Sequence, residues 1–127
     1  MRYLGIDYGS KRIGLAVSDE TGTIATPLIV IKNDASALDK VIAEVESKEI
    51  KTIILGESKD QAGNDNPIMV GIMKFKETLE KRGVEVDFEK EYFTSAHVGG
   101  NRKDLDASAA ALILQRYLDR KKYGDHR

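Results

Sequence analysis

The chain contains no cysteine among its 127 residues, which excludes disulfides and thiolate metal sites and fits a cytoplasmic setting. No apolar run comes near the roughly 20 residues needed to cross a bilayer, so no membrane partner is expected. Met1-Arg2 leads straight into strand-like sequence without a signal-peptide pattern. Linkers, repeats and low-complexity segments are also missing. One domain is therefore expected over residues 1–122, with a frayed tail over 123–127. A charge excess of one sign is lacking too: 20 Lys+Arg stand against 21 Asp+Glu, a formal net charge of -1. That sum announces no nucleic-acid binder, but the distribution is uneven. The chain ends basic, with Arg102, Lys103, Arg116, Arg120, Lys121, Lys122 and Arg127. These read either as solvated charges on a helix face or as contacts for a polyanion. Histidine is scarce: His126 lies in the tail, and a lone loop residue such as His97 is more often incidental than catalytic.

What is present is concentrated in the first nineteen residues. An apolar run reaches Asp7, turns through Tyr8-Gly9-Ser10-Lys11-Arg12 and resumes as Ile13-Gly14-Leu15-Ala16-Val17. This predicts a β-hairpin with Asp7 near the end of its first strand. Alternation puts Tyr3, Gly5 and Asp7 on one face and Leu4, Ile6 and Tyr8 on the other. An acidic side chain in a half-buried strand costs several kcal/mol unless it is paired, hydrated or bound to a cation. The small neighbours Gly5 and Gly9 let a ligand approach the backbone. A rigidly held carboxylate with free space in front suits a metal-dependent phosphate enzyme. It would equally serve as a turn carboxylate hydrogen-bonded to the hairpin backbone.

Further along, residues 23–31 predict a third strand, placed on an edge by Pro27. Ala35, Leu38, Val41, Ile42 and Val45 mark an amphipathic helix. The run 51–56 predicts a strand buried on both faces, and 57–66 a polar loop. Asp65 or Asn66, with Pro67 behind it, would open a helix carrying Ile68, Ile72, Phe75 and Leu79 and ending at Gly83. A fifth strand over 84–88 and a Gly-rich loop over 94–103 lead to a final helix opening at Asp104. The order β-β-β-α-β-α-β-α predicts an α/β fold: a mixed five-stranded sheet with helices on both faces and strand 4 beside strand 1.

This order and three motifs resemble the ribonuclease H-like superfamily and, within it, the YqgF family, also called RuvX, of Holliday-junction-resolvase-like proteins. The motifs are Gly5 to Asp19; Asp106 to Gln115; and Glu91 with Phe93-Thr94-Ser95. The third is degenerate, with Lys90 and Tyr92 where the family has Asp and Arg. The family also has Gly-Leu-Pro where this chain has Gly56-Glu57-Ser58. The resemblance implies a ribonuclease H-like fold and a metal-dependent nuclease, a hydrolase of phosphodiester bonds. The substrate it implies is the 5′ end of the pre-16S rRNA in ribosome biogenesis. Branched DNA with resolvase activity is the alternative, as is a non-catalytic nucleic-acid module. Asp7 matches the family's strand-1 carboxylate, Asp106 its final-helix carboxylate, and Glu91 the glutamate of the third motif.

Two divalent cations, Mg²⁺ or Mn²⁺, would activate the attacking water and stabilise the leaving alkoxide. Three or four carboxylates on separate elements are sufficient ligands. Asp7, Glu57, Glu91 and Asp106 are placed to converge. Asp106 would alternatively be favoured in a helix's first turn by the dipole alone, and Glu57 would alternatively be an ordinary loop glutamate. Ser10, Lys11, Arg12, Arg102 and Lys103 are candidate phosphate contacts beside them, against the reading that hairpin turns are polar anyway. Tyr8, Tyr92 and Phe93 would stack on bases or pack at strand ends. The opening also resembles the first phosphate loop of actin-like ATPases, whose two-domain clamp needs a second similar unit. The helices would support a monomer or a homodimer.

Overall fold

The structure, a computed structural model, describes residues 1–58, 68–91 and 102–123, and only the backbone of Ser58, Glu91 and residues 102–106. The elements follow the expected order: β1 (Arg2–Tyr8), β2 (Arg12–Ser18), β3 (Ala25–Lys32), α1 (Ala37–Ser47), β4 (Ile50–Ser58), α2 (Met69–Lys81), β5 (Glu85–Glu91) and α3 (Arg102–Lys122). They form one five-stranded sheet in the order β3-β2-β1-β4-β5. β1, β2 and β3 pair antiparallel as a meander, and β4 and β5 join in parallel through their helices. β3 is an edge strand, where Pro27 leaves no ladder donor missing inside the sheet. The β2–β3 register slips opposite Pro27, between Leu15 and Ala16.

The alternation of β1 divides the core in two. Leu4 and Ile6 pack with Ile13, Leu15, Ile53 and Leu55 beneath α1 and α2. Tyr3 packs on the other face with Ala16, Ile54, Ala110, Leu114 and Tyr117, so among the described residues α3 is the helix that covers that side. β4 supplies both clusters, as expected of a strand buried on both faces. α3 approaches the sheet closely over Gly5. A Cβ there would lie 2.7 Å from Leu114 Cβ and 2.8 Å from the Ala110 carbonyl oxygen.

Three boundaries near the site differ from expectation. β4 runs on through Glu57 and Ser58 instead of entering a loop at Glu57, because its pairing with β5 continues to Ser58↔Glu91. β5 accordingly ends at Glu91, past Phe88. α3 opens at Arg102, two residues before Asp104, so Arg102 and Lys103 belong to the helix. α2 is described from Met69 with Ile68 before it; the expected caps Asp65, Asn66 and Pro67 lie outside the described residues.

α2 ends as predicted, with Gly83 at φ 89° and its N–H donating to the Glu80 carbonyl. α1 ends less comfortably, with Glu49 at φ 53°. A side chain in that left-handed region costs about 1–2 kcal/mol that glycine does not incur. Glu49→Gly is therefore expected to raise stability by up to about 1 kcal/mol, net of its greater unfolded-state freedom. The urea midpoint checks this, and an unchanged or lower midpoint would contradict it.

The β2–β3 turn is organised by Asp19, whose Oδ1 accepts from the N–H groups of Thr23 (2.7 Å) and Ile24 (3.1 Å) while Oδ2 accepts from the Thr21 hydroxyl. The bonds from Thr23 and Ile24 hold its pKa down at about 2, against 3.8 ordinarily. The folded state therefore favours the ionised carboxylate. This stabilisation is full above about pH 4 and is lost as pH falls toward 2. Asp19→Asn is expected to remove the part of the acid-unfolding slope that falls between these values. A variant with the wild-type slope would contradict the assignment.

Candidate active site

Asp7 stands half-buried near the carboxyl end of β1, on the face covered by α3. Its partner across the antiparallel ladder is Gly14. The parallel pairing Ile6↔Leu55 puts Gly56 beside it one step on. With Gly5 behind, the carboxylate rises from a floor of glycines on three adjacent strands. No side chain rises from these three positions beside Asp7.

α3 runs against β1: Tyr117 lies by Tyr3 (ring centroids 5.9 Å apart), and Leu114 and Ala110 lie over Gly5. From Gly5 to Asp7 the strand advances about 6.6 Å, and from Ala110 back to position 106 the helix retreats about 6 Å. The backbone of position 106 thus falls on the stripe that follows β1 toward Asp7. Small residues permit this approach, since Ala107 and Ala110 are both buried.

Strand parity separates the two glutamate candidates. Asp87, Glu89 and Glu91 share one alternation of β5, and Asp87 and Glu89 meet α3 through Tyr117, Arg116 and Arg120. Position 91 therefore belongs to the Asp7 face, at the same end of the sheet. Glu57 has the parity of Ile53 and Leu55 and lies on the α1/α2 face. The expected convergence of Glu57 with Asp7 is not what the fold builds; one residue of register makes the difference. Among the described residues, no three acidic or histidine side chains gather at one point; the side chains of Glu91 and Asp106 are outside that set. His97, Tyr92 and Phe93 also lie outside the described residues.

The hairpin turn is fixed rather than loose. The Asn33 side-chain amide donates to the Gly9 carbonyl (2.8 Å) and its backbone N–H to the Lys11 carbonyl (2.9 Å). Ser10 and Lys11 are exposed at its tip. Arg12 shares the parity of Gly14 and Ala16, which puts it on the Asp7 face next to Lys32 of β3. Arg102 and Lys103 form the first turn of α3, where backbone N–H groups favour an anion. Tyr8 is a packing residue: its ring meets Phe75 at 5.3 Å and lies over Gly71.

The charges beneath the carboxyl-terminal half of α3 were not expected from the sequence. Glu89 is buried, 7% exposed, and faces Arg120 at 2.5 Å and Arg116 at 3.9 Å. Tyr117 donates to Asp87 Oδ2 at 2.8 Å. Burial and that carboxylate push the phenol well above its ordinary pKa, so it remains a donor. A signal was available: acids at 85, 87, 89 and 91 alternate through β5 and give it an acidic face.

A cavity of about 580 Å³ lies at the far end of the sheet, lined by Met1, Arg2, Glu20 and residues 47–49. It is remote from Asp7. No helix among the described residues is long and apolar enough to cross a membrane.

Known proteins match this chain in sequence and in fold. The family model described as RuvX, Holliday junction resolvase, matches residues 1–120. A Phocaeicola vulgatus protein named as a candidate pre-16S rRNA nuclease is 36% identical, over 96% of this chain and 98% of its own. One of the same name from Sulfurihydrogenibium is 35% identical over 94% and 90%. Among solved structures, Thermus thermophilus RuvC in complex with a Holliday junction substrate superposes with a TM-score of 0.65. It shares 17% identity over 98% of this chain and 96% of its own.

Proposed function

The chain belongs to the RuvX Holliday junction resolvase family, and from that premise we propose that this nuclease uses Asp7, Asp106 and Glu91 to hold divalent cations and trims pre-16S rRNA. The observation that carries the reading is the half-buried Asp7 on its glycine floor, facing the small-residue start of α3. The donor set suits the ion: carboxylate oxygens on separate elements match Mg²⁺ or Mn²⁺. When bound, such ions supply an activated water and neutralise charge on the leaving oxygen.

The chain's own residues do the rest. Asp7 is the rigid ligand, fixed by ladder pairing on β1. Asp106 comes from an independent element, so docking of α3 assembles the site. Glu91 approaches from β5 by parity. Arg12 and the first turn of α3, with Arg102 and Lys103, hold phosphates that flank the scissile one. The substrate reading rests on the relatives' names, and the chemistry it requires is common to RNA and DNA. Branched DNA is the second reading, favoured by the family's description. Cleavage of an rRNA precursor against a four-way DNA junction, each with Mg²⁺, separates the two. Cutting of the junction alone would overturn the rRNA assignment.

Strand parity gives a sharper test. Glu91→Gln is expected to weaken Mn²⁺ binding by about tenfold or more, the scale of about 1.4 kcal/mol for one lost charged ligand, while Glu57→Gln leaves it within about twofold. Calorimetric titration of the two variants side by side decides it, and the reverse order would return Glu57 to the site.

A further inference from the structure

Asn33 touches both shoulders of the hairpin turn that follows Asp7. It stands just past β3, next to Lys32, which pairs with Arg12. Its backbone N–H donates to the Lys11 carbonyl (2.9 Å), and its side-chain amide donates to the Gly9 carbonyl (2.8 Å). A carbonyl oxygen can only accept, so the NH₂ end of the amide must face it. The side chain thus reaches from the edge strand, past the end of β2, to the chain leaving β1. Its contact lies two residues beyond Asp7.

The turn is tight where it is held. Gly9 N–H donates to the Arg12 carbonyl (2.9 Å), and a Cβ at Gly9 would lie 2.6 Å from that oxygen. Asn33 is itself half-buried, in the groove lined by Tyr8, Gly71 and Phe75. The next residue is engaged elsewhere: Asp34 Oδ1 accepts the Ser36 N–H (2.9 Å) and hydroxyl (2.6 Å) as α1 opens. Ser10 and Lys11, by contrast, are exposed at the tip. Among the described residues their side chains bond to nothing. A tip whose side chains serve no contact of the fold is nevertheless held from a third strand. Fixing its shape in advance removes the entropy that ordering it on binding would otherwise cost.

We propose that Asn33 is a positioning residue of the nuclease: its amide presets the Gly9–Arg12 turn so that Ser10 and Lys11 meet a substrate phosphate beside Asp7. The proposal rests on the nuclease reading of Asp7. Asn33 touches neither substrate nor metal and acts through the turn alone. The groups it holds in place, the Ser10 hydroxyl and the Lys11 ammonium, donate to phosphate oxygens of RNA and DNA alike.

Asn33→Ala and Asn33→Asp test it, well below the midpoint of unfolding so that every sample is folded. Aspartate keeps the shape of asparagine, but its carboxylate has no proton to donate. It also adds a charge, which alanine does not, so agreement of the two variants excludes charge as the cause. In both, NMR relaxation should show the Ser10 and Lys11 amides falling from an order parameter of about 0.85 to below about 0.6. Steady-state cleavage with Mg²⁺, on whichever of the rRNA precursor and the four-way DNA junction is cut, gives the second readout. KM should rise about tenfold while kcat stays within about twofold, the pattern of binding lost equally from ground and transition states. In a Lys11→Ala background, Asn33→Ala should add little further loss, because both act at the tip. A tie that serves stability alone would lower the urea midpoint and leave KM and kcat as in the wild type. That result would overturn the proposal, as would a tip still ordered in both variants or losses that add fully with Lys11→Ala. Wild-type behaviour of Asn33→Asp would overturn it too, since shape and not the donated bond would then matter. Asn33→Asp also keeps the question measurable if Asn33→Ala fails to fold. If the wild-type chain cuts neither probe, the nuclease reading is what fails. Binding of the two probes in EDTA, expected to be about tenfold weaker in both Asn33 variants, then still decides the role of the turn.

Discussion

Asp7→Asn is expected to reduce metal-dependent cleavage by about 10³-fold or more, equivalent to roughly 4 kcal/mol of transition-state stabilisation, while the thermal midpoint changes little. The substitution is nearly isosteric and leaves β1 paired with β2 and β4 as before. It removes one negative charge from a half-buried position where the proposed site uses that charge as a ligand. A structural carboxylate serving the hairpin would behave differently: its loss would lower stability and leave cleavage in proportion to the folded fraction. Single-turnover cleavage at saturating Mg²⁺, with circular dichroism on the same samples, separates the two cases. A folded Asp7→Asn variant with full activity would remove Asp7 from the chemistry.

Gly5→Ala is expected to disrupt the packing of α3 on the sheet. The added Cβ would sit 2.7 Å from Leu114 Cβ and 2.8 Å from the Ala110 carbonyl oxygen. Neither atom is the end of a flexible side chain, so α3 as a whole must move away from the sheet. Overpacking of this kind costs about 1–3 kcal/mol. The shift is also functional: α3 brings position 106 toward Asp7, and a displacement of about 1 Å at a reacting centre can cost about 10²-fold in rate. Gly5→Ala should therefore lose both stability and activity, with kcat falling further than the folded fraction explains. Urea denaturation and steady-state cleavage measure the two effects. An unchanged urea midpoint would show that α3 has slack over β1.

The apolar periods made the topology legible. The two faces of β1 and the double burial of β4 follow from which residues alternate and which do not, and the edge position of β3 follows from Pro27. Ends of elements were less legible, for a common reason. Glu57, Ser58 and Glu91 look like loop residues by composition, yet ladder pairing between β4 and β5 carries the strands through them. Pairing is a long-range interaction that local composition does not record. The same extension decides the site, since once Glu57 is in the strand its parity sends it to the α1/α2 face. Arg102 and Lys103 joined α3 because a long helix packed on the sheet extends past its best cap. Asp7 was visible because acids are costly in strands. Glu89 was overlooked although the same cost applies to it, because its partners lie 27 and 31 residues later on α3.

The central claim is that Asp7 of β1 and Asp106 of α3 hold a cation between the sheet and its covering helix. Calorimetric titration of Mn²⁺ into the wild-type chain, Asp7→Asn, Asp106→Asn and the double variant tests it without any assumption about substrate. If both carboxylates serve one site, each single variant loses most of the affinity and the double variant loses little more. Mn²⁺ affinity that is unchanged in either single variant, or losses that simply add in the double variant, would contradict a shared site.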